Sequence, residues 1–125
     1  MSITWFNDKP KNLIATIHEN HITLNKTATT YFENAYQVML GFDKANDLII
    51  IKPLTKDLAM KNTIPNNQKY KITVKSSYSR VTNKAFVNEI INIFELNLNN
   101  DTIKYRCYFD ETNNQLNINI KEAIV

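Results

Sequence analysis

The sequence predicts a mainly β or α+β fold in which two β-α-β-β units share one chain. Three observations lead to this prediction. Short stretches alternate apolar and polar residues, as strands with one buried face do. Both halves of the chain follow the same order of strand, helix, strand, strand. Landmark pairs also recur, namely Asn25-Lys26 with Asn83-Lys84 and Phe42-Asp43 with Phe109-Asp110.

The first half opens with an apolar stretch, a turn at His18 to Asn20, and a short strand. Asn25 favours a helix N-cap there, because its side chain can accept a hydrogen bond from a helical N–H. Apolar residues follow with helical spacing at Ala28, Tyr31, Phe32 and Ala35. A hairpin completes this half. The apolar stretch is Leu13 to Ile17, and the predicted strands are Ile22 to Leu24, Tyr36 to Asp43 and Leu48 to Leu54.

The second half repeats this order. Asn83-Lys84 opens a longer helix with an apolar stripe of Phe86, Ile90 and Phe94. The last hairpin turns at Glu111 to Asn114, and its strands alternate apolar residues with polar ones. The first predicted strand, Tyr70 to Lys75, leads through Ser76 to Ser79 to the segment Arg80 to Thr82. The two strands of the hairpin are Ile103 to Asp110 and Leu116 to Ile120.

A length of 125 residues and an apolar fraction of 43% suit one domain with one core. We expect repeat one at about 1–54, a linker at about 55–68 with a helical turn or two at Thr55 to Lys61, and repeat two at about 69–125. The single cysteine, Cys107, is typical of a reducing compartment. The sequence shows neither a signal peptide nor an apolar run that could span a membrane, so a cytoplasmic location without membrane partners is expected.

A short strand, a small helix and a hairpin resemble the swapped-hairpin unit of AbrB/MraZ-like regulators. The corresponding segments are His18 to Asn25 and Ser76 to Asn83. The resemblance implies one barrel made of both repeats and a non-enzymatic, DNA-binding transcriptional regulator. Neither copy has the glycine, aspartate or proline of the family motif. The family's arginine position holds His21 and Ser79, with Arg80 one position away.

A stretch of 16 residues without Asp or Glu carries the candidate DNA-binding residues. Strand alternation places Tyr70, Ile72 and Val74 on one face and the lysines on the other, with about 6.6 Å between lysines two positions apart. Such spacing suits contact with a phosphate backbone. The alternative is a solvated strand face. The candidates are Lys69, Lys71, Lys75, Arg80 and Lys84, with His21 and Lys26 as the weaker counterpart in repeat one.

The sequence gives little indication of a phosphate-binding loop, a metal site or a catalytic nucleophile. The only glycine, Gly41, cannot make a phosphate-binding loop. His18 and His21 lack a third metal ligand, and Cys107 belongs to an apolar strand face without a nearby base. We therefore predict no catalytic residue, metal or cofactor. Tyr78 could stack on a nucleic-acid base.

Two partner classes remain open. The first is double-stranded DNA. The second is a protein, or further copies of this chain, because the missing motif residues favour an interaction or assembly module that has lost DNA binding. Trp5 and Phe6 could form an edge strand or an exposed apolar interface.

Overall fold

The structure is a computed structural model that describes residues 2–3, 12–98 and 101–124. Its centre is one eight-stranded antiparallel sheet in the order β3-β4-β8-β7-β1-β2-β6-β5. Trp5 and Phe6 lie outside the described residues. The strands are β1 (Leu13–Ile17), β2 (His21–Leu24), β3 (Gln37–Asp43), β4 (Leu48–Leu54), β5 (Thr73–Val74), β6 (Ser79–Thr82), β7 (Ile103–Asp110) and β8 (Gln115–Ile124).

Three short helices lie beside the sheet: α1 (Lys26–Thr29), α2 (Lys56–Met60) and α3 (Lys84–Ile93). The predicted N-cap at Asn25 is confirmed, and Asn83 caps α3 in the same way. The Asn25 side chain accepts from the Ala28 N–H at 3.1 Å, and the Asn83 side chain accepts from the Phe86 N–H at 3.0 Å. Each bond satisfies a donor that the first helical turn leaves without a partner.

The core lies on one side of the sheet, because alternate strand residues point inward. Ile17, Ile22 and Ile118 are fully buried, and Val87 and Ile90 of α3 pack into the same cluster. On β7 the inward residues Tyr105 and Cys107 are buried. The predicted alternation along this strand is therefore confirmed, and a mainly β fold follows.

The two edges of the sheet meet at one place. The Val38 N–H donates to the Tyr70 carbonyl and the Tyr70 N–H donates to the Val38 carbonyl, both at 2.8 Å. The predicted strand from Tyr70 to Lys75 is thus divided between two partners. Tyr70 bonds to β3, and only Thr73 and Val74 form a ladder with β6. The sheet is accordingly curled rather than flat.

The two hairpin turns that follow β3 and β7 have the same hydrogen bonds. The Asp43 carboxylate accepts from the backbone N–H and side-chain amide of Asn46, at 3.2 and 2.7 Å. The Asp110 carboxylate accepts from the same two groups of Asn113, at 3.1 and 2.7 Å. Each turn ends in a residue with positive φ, Asp47 at 55° and Asn114 at 51°. Aspartate and asparagine tolerate this conformation better than most residues.

Aromatic contacts link the helices of one half to the hairpin of the other. Phe94, directly after α3, makes an edge-to-face contact with Phe42 of β3, with centroids 6.2 Å apart. Tyr31, in the turn that follows α1, stacks on Phe109 of β7 at 4.2 Å. Phe42 and Phe109 occupy matching places before the two hairpin turns, so the exchange is reciprocal.

No helix within the described ranges has both the length and the apolar character needed to cross a membrane. The predicted linker holds α2, which confirms the helical turns expected between Thr55 and Lys61. It also holds a single 3₁₀ turn at Asn66–Gln68. The division of the chain into repeats at 1–54 and 69–125 stays a prediction.

Candidate nucleic-acid interface

Five neighbouring strands, β7-β1-β2-β6-β5, present one continuous outward surface. Residues directly opposite each other in antiparallel strands point to the same side of the sheet. In this part of the sheet Ala15, Ile22 and Val81 point inward and are buried. Their neighbours along each strand therefore point outward.

One row of outward residues crosses all five strands. Thr16 lies opposite Lys104 on one side and Thr23 on the other, and Thr23 lies opposite Arg80. Arg80 in turn lies opposite Thr73. Neighbouring strands are about 4.8 Å apart, so the row spans about 19 Å. It brings together Arg80, which was predicted from the sequence, and Lys104, which was not.

Strand β7 also contributes Arg106, which lies opposite Ile14 and therefore points to the same side. Its guanidinium donates to the Asn12 side-chain oxygen at 3.0 Å. The alternating sequence of β7 already placed Lys104 and Arg106 on a polar strand face. The sequence pattern did not predict that β7 pairs with β1, because that pairing joins residues about 90 positions apart.

The lysines beside β5 complete the surface. Tyr70, Ile72 and Val74 pack against the core, whereas Lys71 and Lys75 are exposed. The predicted alternation of this segment is confirmed. The Lys75 N–H donates to the Tyr78 carbonyl at 2.8 Å, which keeps Lys75 in register with β6. We call this surface the cationic face, and its cations are Lys71, Lys75, Arg80, Lys104 and Arg106.

Lys69 is placed differently from its neighbours. Its ammonium donates to the Ala59 carbonyl at 2.6 Å, in a partly buried position beside α2. The Lys69 ammonium is therefore already hydrogen-bonded to a carbonyl near the end of α2. Lys69 is therefore a poorer candidate for binding an anion than Lys71 or Lys75.

Lys26 and Lys84 are the first residues of α1 and α3, and both are exposed. Strands β2 and β6 are antiparallel, and each leads directly into one of these helices. The two lysines consequently lie at opposite ends of the β2–β6 pair. They flank Arg80, with about 17 Å between the two N-caps.

Arg80 has an aromatic neighbour on the same strand face. Its guanidinium donates to the Tyr78 hydroxyl at 3.3 Å and lies 5.8 Å from the centre of the Tyr78 ring. This contact holds the long side chain beside an aromatic surface. An arginine ordered in this way needs to lose less side-chain entropy when it binds a ligand.

His18 and His21 face each other across the turn between β1 and β2. Their rings are stacked, with centroids 4.0 Å apart and planes 13° from parallel. Burial lowers the pKa of both imidazoles, and the nearby charge of Arg80 lowers each pKa further. Both rings are therefore neutral at pH 7.

No Asp or Glu occurs among the residues through which these five strands pair with one another. At the margin of this surface the Glu122 carboxylate of β8 accepts from the Tyr108 hydroxyl of β7 at 2.5 Å. The only ion pair among the described residues joins Lys121 to Asp47, at 3.4 Å on β8 and the first hairpin turn. Within the part of the chain that the structure describes, none of the five cations of the cationic face is therefore in an ion pair.

The described residues offer little to other kinds of chemistry. They include no group of three or more His, Cys, Asp or Glu side chains that could hold a metal ion. Cys107 is buried, and burial raises its pKa to about 12, which keeps the sulfur protonated. A pocket of about 270 Å³ lies between β3 and α3, and its only ionisable groups are Glu89 and the Tyr70 phenol.

The comparisons with known proteins do not identify the chain. No protein-family model, curated protein or solved structure matches it.

Proposed function

We propose that this chain binds double-stranded DNA through the cationic face and acts as a transcriptional regulator of the AbrB/MraZ-like kind. The observation that carries the proposal is the row from Lys104 through Thr16 and Thr23 to Arg80 and Thr73. It joins cations from strands far apart in sequence, and the residues that pair these strands with one another include no carboxylate. Nucleic-acid binding depends first on such a surface.

The internal symmetry of the chain supports the family resemblance. The capping bonds of Asn25 and Asn83 are alike, and so are the turn bonds of Asp43 and Asp110. Exchanging each strand of one half with its counterpart in the other leaves the order of the strands around the curled sheet unchanged, once the Val38–Tyr70 bridge is counted. We infer a barrel of two swapped-hairpin repeats.

The β2–β6 pair lies at the centre of the cationic face, with β1 and β5 beside it in the sheet. The major groove, whose bases a β-element can read, is about 12 Å wide. Arg80 lies in the middle of this pair, where it could donate to a guanine edge. Lys26 and Lys84, at its two ends, would then lie near the phosphates on either side.

The salt dependence of binding tests the electrostatic part of the proposal. Each phosphate neutralised adds about 0.9 to the slope of log affinity against log salt, so five contacts give a slope of about 4.5. A band-shift assay with a duplex at low salt should show a complex that is lost as salt rises. Absence of any complex at low salt would contradict the proposal.

Charge reversal locates the binding surface. Lys71→Glu with Arg80→Glu should abolish binding, because two attractive contacts become repulsive. The matched control is Lys56→Glu with Lys61→Glu, which makes the same change of charge at the exposed ends of α2. Equal losses in both variants would mean that net charge alone, and not this surface, governs binding.

A protein-interaction or assembly module is the second candidate, and the open edge of β3 favours it. The N–H and C=O of Val38 point away from β4 toward Tyr70, so those of Leu40 and Phe42 point the same way. Within the described residues these groups have no strand partner. Such an edge can pair with an extended segment of another chain. A strict monomer of 14.6 kDa in light scattering, with no protein captured in a pull-down, would exclude this candidate.

A further inference from the structure

The turn between β1 and β2 holds two imidazoles in a fixed arrangement on the cationic face. The backbone N–H of His18 donates to the backbone carbonyl of His21 at 2.9 Å, and the two imidazole rings are stacked. The His18 Nε2 lies 3.2 Å from the Thr23 hydroxyl, and the His21 Nδ1 lies 2.7 Å from the Asn20 side-chain oxygen. Thr23 is directly opposite Arg80. Arg80 is thus diagonal to His21 across the β2–β6 pair, and its guanidinium, which donates to the Tyr78 hydroxyl, is one of the charges around the histidine pair.

Charged groups from several elements surround this area. Arg80 of β6 and Lys104 of β7 share the row that crosses Thr23, and Lys84 begins α3 two residues after Thr82, the partner of His21. The acids near this end of the sheet are Glu19, in the turn itself, and Asp101, which precedes β7. Neither acid contributes to the pKa shifts of the two histidines. Positive charge dominates the area.

We propose that His18, His21 and Arg80 form a phosphate site that takes up protons when it binds. The inference rests on the proposed function for its ligand, which is a phosphodiester of nucleic acid. Protonating two stacked imidazoles beside a guanidinium is unfavourable in the free protein, because three like charges then lie close together. A phosphate bound among the three groups makes protonation of the imidazoles favourable, because its negative charge attracts all three. It then accepts a charge-assisted hydrogen bond from each group.

A dependence of affinity on pH follows from this site. In the free protein the pKa of each histidine is below its usual value of about 6.5, and a bound phosphate raises it. Protons are then taken up on binding, so affinity increases as the pH falls. Each proton taken up contributes at most a tenfold change in affinity per pH unit. Without an anion the sign for folding is the opposite, since the unfolded chain binds protons more tightly and low pH destabilises the fold.

Fluorescence anisotropy with a labelled duplex, at constant ionic strength, tests the site in its proposed role. Between about pH 7.5 and pH 5.5 the wild type should bind about tenfold more tightly or better. The variant His18→Gln with His21→Gln should bind more weakly than the wild type at pH 7.5, because both donors to the phosphate are lost, and it should gain no affinity at pH 5.5. The control variant Lys56→Glu with Lys61→Glu should keep the wild-type pH dependence. An unchanged pH dependence in the histidine variant would overturn the proposal.

A second measurement does not need DNA. Proton NMR of the two imidazoles, with and without inorganic phosphate, should show both pKa values raised by phosphate, and Arg80→Gln should reduce the shift. Absence of any shift would overturn the site. If phosphate shifts both histidines but no duplex binds at any pH, the phosphate site stands and the proposed DNA binding fails. Circular dichroism of each variant confirms that it folds.

Discussion

The outward surface of the sheet differs between its two parts. On β7-β1-β2-β6-β5 it carries five cations and a histidine pair. On β3-β4-β8 one row runs from Gly41 through Ile50 to Asn117 and continues to Tyr108 of β7, and no residue of this row is charged. Lys52, opposite Met39, is a charged residue on this side. We call the outward side of β3-β4-β8 the amide face. Its outward residues include Met39, Gly41, Ile50, Gln115, Asn117 and Asn119.

The inward sides of the same two parts are alike. Ile22 and Val81 of the first part are as fully buried as Ile49 and Leu116 of the second. Hydrophobic burial therefore stabilises both parts in the same way and does not require their outward sides to differ. Burial of the core therefore does not explain why the two outward sides differ.

The only glycine of the chain belongs to the amide face. A Cβ atom built at Gly41 would meet no atom within 4 Å, and its φ is not positive. Neither crowding nor backbone conformation therefore requires glycine there. With Met39, Ile50, Lys52 and Gln115 among its neighbours, Gly41 lines a shallow pocket of about 220 Å³. Lys52 is the one charged residue among those that line this depression.

The largest expected effect tests whether the two parts share one core. Ile22→Ala in β2 and Leu116→Ala in β8 should each lower the free energy of unfolding by about 2–5 kcal/mol, because each leaves a cavity in a fully buried site. Urea unfolding followed by circular dichroism measures the change. Both variants should unfold in one transition. Two separate transitions would mean that the parts fold independently.

The second effect compares the two outward sides directly. Lys104→Ala with Arg106→Ala should weaken duplex binding by about 10- to 100-fold and reduce the salt slope by about 1.8, since two phosphate contacts are lost. Lys52→Ala with Lys121→Ala removes the same charge from β4 and β8 and should change neither. Band-shift titrations at several salt concentrations measure both quantities. An equal loss from the second pair would erase the distinction between the faces.

A smaller effect should separate the two N-caps. The Asn83 side chain accepts one backbone bond at α3, so Asn83→Ala should cost about 1 kcal/mol of stability. Asn25 also accepts from the Ile14 N–H at 3.2 Å and donates to the Asn12 carbonyl at 2.9 Å. Asn25→Ala should therefore cost more, about 2 kcal/mol. Thermal unfolding measures the loss of stability in each alanine variant, with Asn25→Asp and Asn83→Asp as controls that keep a capping oxygen. Equal losses in the two alanine variants would contradict the structure.

The smallest effect at neutral pH concerns Cys107 on β7, the strand where the two faces meet. Its folded pKa of about 12 lies above that of an exposed thiol, so stability is full at pH 7 and falls as the pH rises past about 8.5. The expected loss is about 1–2 kcal/mol at pH 10. Cys107→Val should remove this part of the alkaline dependence. Rapid labelling of the native thiol by iodoacetamide at pH 8 would show that Cys107 is exposed.

Local sequence determined the faces, the turns and the caps. The alternation of Ile103, Tyr105 and Cys107 with polar residues predicted which side of β7 is buried, because the strand period of two is a property of the backbone. Asn25 and Asn83 predicted the helix starts for a similarly local reason. Within the candidate site, the exposure of Lys71 and Lys75 followed from the same period.

Only the tertiary structure decided which strands are neighbours. The pairing of β1 with β7 brings Lys104 and Arg106 beside the row of Arg80, and no local pattern specifies a partner so distant in the chain. The Lys69 ammonium likewise meets the Ala59 carbonyl through the packing of α2. Side-chain period is encoded residue by residue, whereas strand partners are selected by the summed burial of the whole core. The cationic face exists because that global selection placed two polar strand faces side by side.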